Sequence, residues 1–231
     1  GNSLRDVTVN SGNNVTLNSA YTGGATIGLP QTAGGLHDVT INYPGATSVA
    51  LYANGAYYRD HRAAELSGNL SITSGGSIGH GDSSWLNLAG SASSSTFNSA
   101  GDITLTRGEN YLGAVAITPT VATVSANLYN NSANASLTTV TSPVTNLTLT
   151  QPNASLTLPD NKVTGSLYID TQGGVTGNDI AVGAQTLSGS MVMYSDDTIS
   201  QTGAWSTVGT ARLTASTFPI TSSYFVRAAV L

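Results

Sequence analysis

The sequence predicts an all-β fold, a right-handed parallel β-helix (a solenoid) of about ten coils, and three observations carry that prediction. A short phrase recurs throughout: a Gly, Asp, Asn or Ser, then apolar residues alternating with Thr, Ser or Tyr, as in Asp6-Val-Thr-Val9, Asp38-Val-Thr-Ile41, Gly68-Asn-Leu-Ser-Ile72, Asp102-Ile-Thr-Leu105, Asn146-Leu-Thr-Leu149 and Ser155-Leu-Thr-Leu158. Nothing with helical periodicity stands between these phrases. The third observation is a long internal match, Gly165-Ser-Leu-Tyr-Ile169 against Gly189-Ser-Met-Val-Met193, spaced 24 residues apart and echoed at Gly68.

The elements follow in order. In a half-buried strand every second side chain faces inward, so Val7, Val9, Val15 and Leu17 are expected in the interior, with Thr8 and Thr16 in water. Strands of this length separated by turns give about 20 to 25 residues per coil. Stacked at ~4.8 Å, about ten coils make a rod about 50 Å long. Gly and Asn at the corners are expected to supply positive φ. Two stretches break the rhythm. Residues 52–65 hold three tyrosines, two arginines, a histidine and two acids, and predict an excursion from the rod; 86–100 is Ser-rich and predicts a loose loop or weak rung.

Composition bounds the function. Charged residues make up only 8% of the chain and hydrophobic ones 39%, which argues against disorder, since disorder combines high charge with low hydrophobicity. Net charge is -5, with one lysine, Lys162, and six arginines; no basic surface exists to neutralise phosphates, so nucleic acid is not an expected partner. No apolar run approaches the roughly 18 residues of a membrane span, so no direct membrane insertion is expected. The 26 glycines suit tight corners, and the absence of cysteine removes disulfides and thiolate metal ligands. A strand phrase begins almost at once with no apolar leader, so 1–231 reads as a single β-helical section of a longer protein.

Parallel β-helices also carry polysaccharide-cleaving enzymes, so the carboxylates matter. Ser195-Asp196-Asp197 and Gly79-His80-Gly81 are similar to two motifs of pectin hydrolases, which place carboxyl groups across a glycosidic bond. Here the paired aspartates follow the histidine motif instead of preceding it, and the companion motifs are missing. A lyase would need a basic residue among acidic calcium ligands, and the seven basic residues are scattered. His37, His61 and His80 have no metal-ligand spacing. No catalytic residue, metal site or cofactor is therefore expected. Six Asn-x-Ser/Thr sequons, at Asn14, Asn69, Asn130, Asn134, Asn146 and Asn153, are expected by chance in so Asn- and Ser-rich a chain. For ligand contact the best cluster is Tyr57, Tyr58, Arg59, His61 and Arg62, with Asp60 among them, because aromatic rings stack on sugars; Trp85 and Trp205 are isolated candidates.

The stretch 165–215, with Gly-Ser-Leu-Tyr-Ile, Thr198-Ile-Ser-Gln-Thr-Gly203, Val208-Gly-Thr-Ala211 and Arg212-Leu-Thr-Ala215, resembles the repeats of filamentous-haemagglutinin-like large exoproteins, the adhesins and toxins of two-partner secretion. Gly101-Asp-Ile-Thr-Leu-Thr106 followed by Asn110-Tyr-Leu-Gly113 is similar to the same repeats. The resemblance implies a right-handed parallel β-helix that is secreted or held at the bacterial cell surface. It further implies passage through an outer-membrane transporter and a non-enzymatic role in adhesion to a host or neighbouring-cell glycan or surface protein, in aggregation, or in display of a toxin tip. The family's secretion domain carries an Asn-Pro-Asn signature that is absent here, so the resemblance is to an internal section. The alternatives are a β-helical polysaccharide hydrolase or lyase, and a trimeric phage or viral fibre segment.

Overall fold

The computed structural model describes residues 3–9, 14–31, 37–54, 63–81, 84–88, 93–173, 177–216 and 227–228. Among them every regular element is a strand and every pairing between strands is parallel, so the chain is a β-solenoid. One long sheet runs its whole length, and its ten strands number the rungs: Asp6–Thr8, Gly24–Pro30, Ser48–Asn54, Ser77–His80, Ile103–Leu105, Ala126–Tyr129, Leu147–Thr150, Leu167–Asp170, Met191–Tyr194 and Ala211–Thr214. A residue's partner one rung on lies 20 to 25 positions along the chain, except from Ala50 to Gly79, 29 positions, the coil that contains 55–62.

The other faces change midway. Through the first half the chain leaves the long sheet, crosses a small sheet (Ala63–Leu66, Trp85–Leu88), and runs up a companion sheet that ends at Ser136–Val140. It then returns through a tight corner such as 75–76. In the second half that corner opens into a face of its own (Gln185–Leu187, Trp205–Thr207, Arg227–Ala228), while Leu156–Leu158, Ile180–Val182 and Ile199–Gln201 carry the opposite wall. Gln151 stitches the joint between the companion sheet and its successor. Its Nε2 donates to the carbonyls of Ala135 and Ser155, at 3.3 and 2.9 Å, groups that no strand ladder joins.

The core is a stack of apolar side chains, chiefly Val, Ile and Leu, from the inward positions, including Ile27, Leu51, Ile72, Ile103, Leu128, Leu149, Ile169 and Met193. Alternation sets it directly: Leu147 and Leu149 are buried while Thr148 and Thr150 between them are not. Val9 is buried, Val7, Val15 and Leu17 are partly buried against the same core, and Thr8 and Thr16 are exposed, as the pattern predicts.

The short polar residue just before many of these strands has a specific job. Asn14 Oδ1 accepts from Asp38 N–H, Asp38 Oδ1 from Asn69 N–H at 2.8 Å, and Asn69 Oδ1 from Ser94 N–H, one coil to the next. A second column starts the long sheet: Asp102 Oδ1 accepts from Ser125 N–H, Asn146 Oδ1 from Ser166 N–H, Ser166 Oγ from Ser190 N–H and Ser190 Oγ from Thr210 N–H. Each short polar side chain extends the backbone ladder beyond the strand end, in one direction only. The Asn69 amide, with a smaller contribution from the neighbouring His37 ring, holds the Asp38 carboxyl below its ordinary range.

Two expectations are corrected. The Ser-rich stretch 86–100 is not loose where it is described: Ser94–Ser99 is a full strand of the companion sheet with Phe97 buried. Its inward serines are satisfied, Ser95 Oγ donating to Leu112 carbonyl and Ser99 Oγ to Gly76 carbonyl, so hydroxyls stand where apolar groups would be expected. The corner glycines do not mainly supply positive φ, which among described residues occurs only at Gly113, Gly173, Gly177 and Asn161. At Gly75, Gly76 and Gly101 a Cβ would instead strike the backbone of the stacked corner below. Both ends of the predicted excursion, Tyr52–Asn54 and Ala63–Glu65, belong to strands of the solenoid; 55–62 lies outside the described residues.

Candidate ligand-contact face

Outward side chains distinguish the faces. On the companion sheet they form columns of small residues, Thr16, Thr40, Ser71, Thr96, Ala116 and Asn18, Asn42, Thr73, Asn98, Thr118. On the long sheet the same outward parity carries Tyr52 in the third rung, Tyr129 in the sixth, Tyr168 in the eighth and Tyr194 in the ninth. Aromatic side chains displayed on a flat sheet give ring area for contact at little cost in conformational entropy.

Tyr52 lies flat over Gly28, where a Cβ would sit 2.6 Å from its ring, and its hydroxyl meets Thr8 Oγ1 at 3.2 Å. The second group is larger. The register pairs Tyr168 with Val192 and Val192 with Arg212, and beside that column pairs Thr150 with Asp170 and Asp170 with Tyr194. The Tyr168 and Tyr194 rings are 5.9 Å apart and tilted by 57°. The Arg212 guanidinium sits over the Tyr194 ring, 5.3 Å from its centre.

Asp170 is already engaged. Its Oδ2 accepts from Tyr168 hydroxyl at 3.2 Å and its Oδ1 from Gln172 N–H at 3.0 Å. Burial, then the charge of Asp170, pushes the Tyr168 phenol up, and Tyr129 rises through burial and then the charges of Asp170 and Glu109. Both rings therefore stay neutral donors at physiological pH. Beyond Tyr129, Asn153 Nδ2 donates to Asn131 Oδ1 and Asn131 Nδ2 to Tyr111 hydroxyl, so a polar edge flanks the rings. An open groove of about 370 Å³ lined by Pro119, Val121, Ala122 and Pro143 marks the joint where the cross-section changes, and it bears no aromatic or charged group.

The predicted contact cluster, Tyr57, Tyr58, Arg59, His61 and Arg62, lies outside the described residues. Trp205 is corrected: it is buried, and its Nε1 donates to the carbonyls of Val182 and Gly183, so it is a core residue and not a contact residue. Trp85 is half-buried on the small sheet. His80 closes the fourth rung and Asp196 follows the ninth, so five rungs, ~24 Å, separate the two pectin-hydrolase-like motifs. Asp196 accepts from Gly173 N–H, and Asp197 N–H donates to Ser195 Oγ in a local turn. Among the sequons, Asn130 is fully buried and Asn14, Asn69 and Asn146 serve in the ladders.

Fold and face together define a parallel β-solenoid repeat protein whose long sheet displays a row of tyrosines. Two stretches, 60–118 and 175–221, match a family of repeats of unknown function (DUF5649), and the second of them contains Tyr194 and Arg212. One family model matching the chain twice fits its repetitive build. No curated protein and no solved structure matches.

Proposed function

We propose that this solenoid is a non-enzymatic structural and adhesive section of a secreted bacterial surface exoprotein, exported through an outer-membrane transporter. It meets a host or neighbouring-cell glycan or surface protein along the outer face of its long sheet. The observation that carries the proposal is the set of outward tyrosines on that sheet, Tyr52, Tyr129, Tyr168 and Tyr194, while the described strands of the companion sheet display only Thr, Ser, Asn and Ala. Contact surfaces are enriched in Tyr and Arg, because one rigid ring buries much area and keeps a hydroxyl for hydrogen bonding. The repeat resemblance supplies the location and the adhesive context. The separation of His80 from Asp196 weighs against the hydrolase alternative.

Beads coated with the chain are expected to attach to cells, and replacing Tyr129, Tyr168 and Tyr194 together by Ala is expected to reduce attachment about tenfold or more. These side chains face outward, so melting temperature should shift by only a few degrees, as for surface changes in a domain of this size. Attachment that survives the triple substitution would reject this face as the contact surface.

A further inference from the structure

We propose that the eighth to tenth rungs form a binding site for a carboxylate-bearing sugar ring, with Arg212 as the anion contact and Tyr168 and Tyr194 as the ring walls. The inference rests on the reading of the long sheet as a contact face and names what that face selects.

The geometry is a notch. Tyr168, Val192 and Arg212 follow one another in a single outward column, so two rungs, ~9.6 Å, separate the tyrosine from the arginine, with the short side chain of Val192 between them. Tyr194 stands beside this column and carries the guanidinium on its ring. A six-membered sugar ring fits over Val192 with its C–H face toward an aromatic wall and its hydroxyls toward the phenols.

Charge decides the ligand class. The carboxylates near the notch are engaged by the protein's own donors, Asp170 by Tyr168 and Gln172 and Asp196 by Gly173 N–H. Arg212 has no ion pair among the described residues, unlike Arg5, which pairs with Asp6. A guanidinium laid on a ring keeps its N–H edge open, and that edge matches a carboxylate in bidentate fashion. The notch therefore offers one directed positive charge on a chain of net charge -5. A single cation suits a polymer with one carboxylate per ring, whereas densely sulfated chains require a run of cations, which the described strands of this face do not carry.

The test immobilises polygalacturonate, dextran and heparin and measures retention of the whole chain at low and at high salt. Polygalacturonate is expected to retain the protein and dextran to retain it much less, with retention falling at high salt. Arg212→Gln is expected to weaken polygalacturonate binding about tenfold, the loss of a charge-assisted hydrogen-bonded contact, and Arg212→Lys is expected to fall between. Unchanged melting curves would show that both variants fold. Equal retention by dextran, insensitive to Arg212→Gln, would overturn the anion site while leaving the contact face standing. Tighter binding to heparin than to polygalacturonate would overturn the carboxylate assignment. Retention by none of the three would overturn the sugar site altogether, and the contact face itself is decided separately by the attachment of coated beads.

Discussion

Replacing Gly76 by Val is expected to destabilise the solenoid by about 3 kcal/mol or to prevent its folding, the upper range for overpacking against a backbone that cannot yield. Gly76 lies in the tight corner between Leu70–Ser74 and Ser77–His80, stacked directly on the corner of the preceding coil. A Cβ there would overlap the Thr47 carbonyl and come within 2.8 Å of Thr47 Cα. Thr47 is itself fixed, since Thr47 N–H donates to Gly23 carbonyl and its own carbonyl accepts Ser77 N–H. The clash cannot be relieved without separating two coils. Gly79→Ala is the control, because that Cβ would point outward and meet only Thr104 carbonyl at an ordinary 3.5 Å, and it should change stability by no more than about 0.5 kcal/mol. Equilibrium denaturation of the two variants measures the difference.

Asn130→Ala is expected to cost about 3 kcal/mol, because the side chain is wholly buried and supplies three backbone groups. Its Oδ1 accepts from Leu112 N–H at 2.9 Å and from Ser132 N–H, and its Nδ2 donates to Gly113 carbonyl at 2.8 Å. Gly113 is held at a φ of 63°, and its N–H donates to Ser132 Oγ at 2.9 Å, so Asn130 and Ser132 close this corner together. Asn130→Asp adds a test with a sign. A buried carboxyl has its pKa raised in the folded state, so the folded chain holds the proton more tightly than the unfolded one and stability falls as pH rises. Protonated, it can still donate to Gly113 carbonyl and accept from Leu112. The variant should therefore approach the parent below about pH 4, where an ordinary Asp is protonated, and lose about 3 kcal/mol or more at neutral pH. Denaturant midpoints across that range check both ends.

Alternation of period two made the rod legible, because it acts within each strand and needs no knowledge of what stacks above. The 24-residue spacing of the Gly165 and Gly189 phrases is the register itself, Leu167 pairing with Met191. What the sequence hides is whatever depends on the neighbouring coil. Asp38 and Asn146 look like turn residues, yet they accept amide protons from the next coil, Asn69 and Ser166. Gly76 looks like a residue chosen for conformational freedom, whereas it is small because Thr47 passes beneath it. Ser95 and Ser99 read as loop chemistry, and only the stacked carbonyls of Leu112 and Gly76 make them core residues.

The candidate face was half visible. Tyr168 stands in the quoted Gly165 phrase and Tyr194 directly follows the Gly189 phrase, both at outward parity, and that is the available signal. Charge density instead marks 57–62. That Tyr168 lies beside Val192, and that Arg212 rests on Tyr194, follows only from coil lengths of 24 and then 20 residues.

The measurement that bears most directly on the central claim is a footprint of the attached protein. The chain lacks cysteine, so single cysteines can be placed at outward positions of the long sheet, Thr104, Asn127 and Thr148, and of the companion sheet, Thr40, Ser71 and Thr96. Maleimide labelling rates are then compared between free protein and protein bound to cells or to polygalacturonate. Contact through the long sheet predicts slowed labelling at Asn127 and Thr148, nearest the tyrosines, and unchanged rates at Thr40, Ser71 and Thr96. Protection on the companion sheet with the long sheet left open would contradict it.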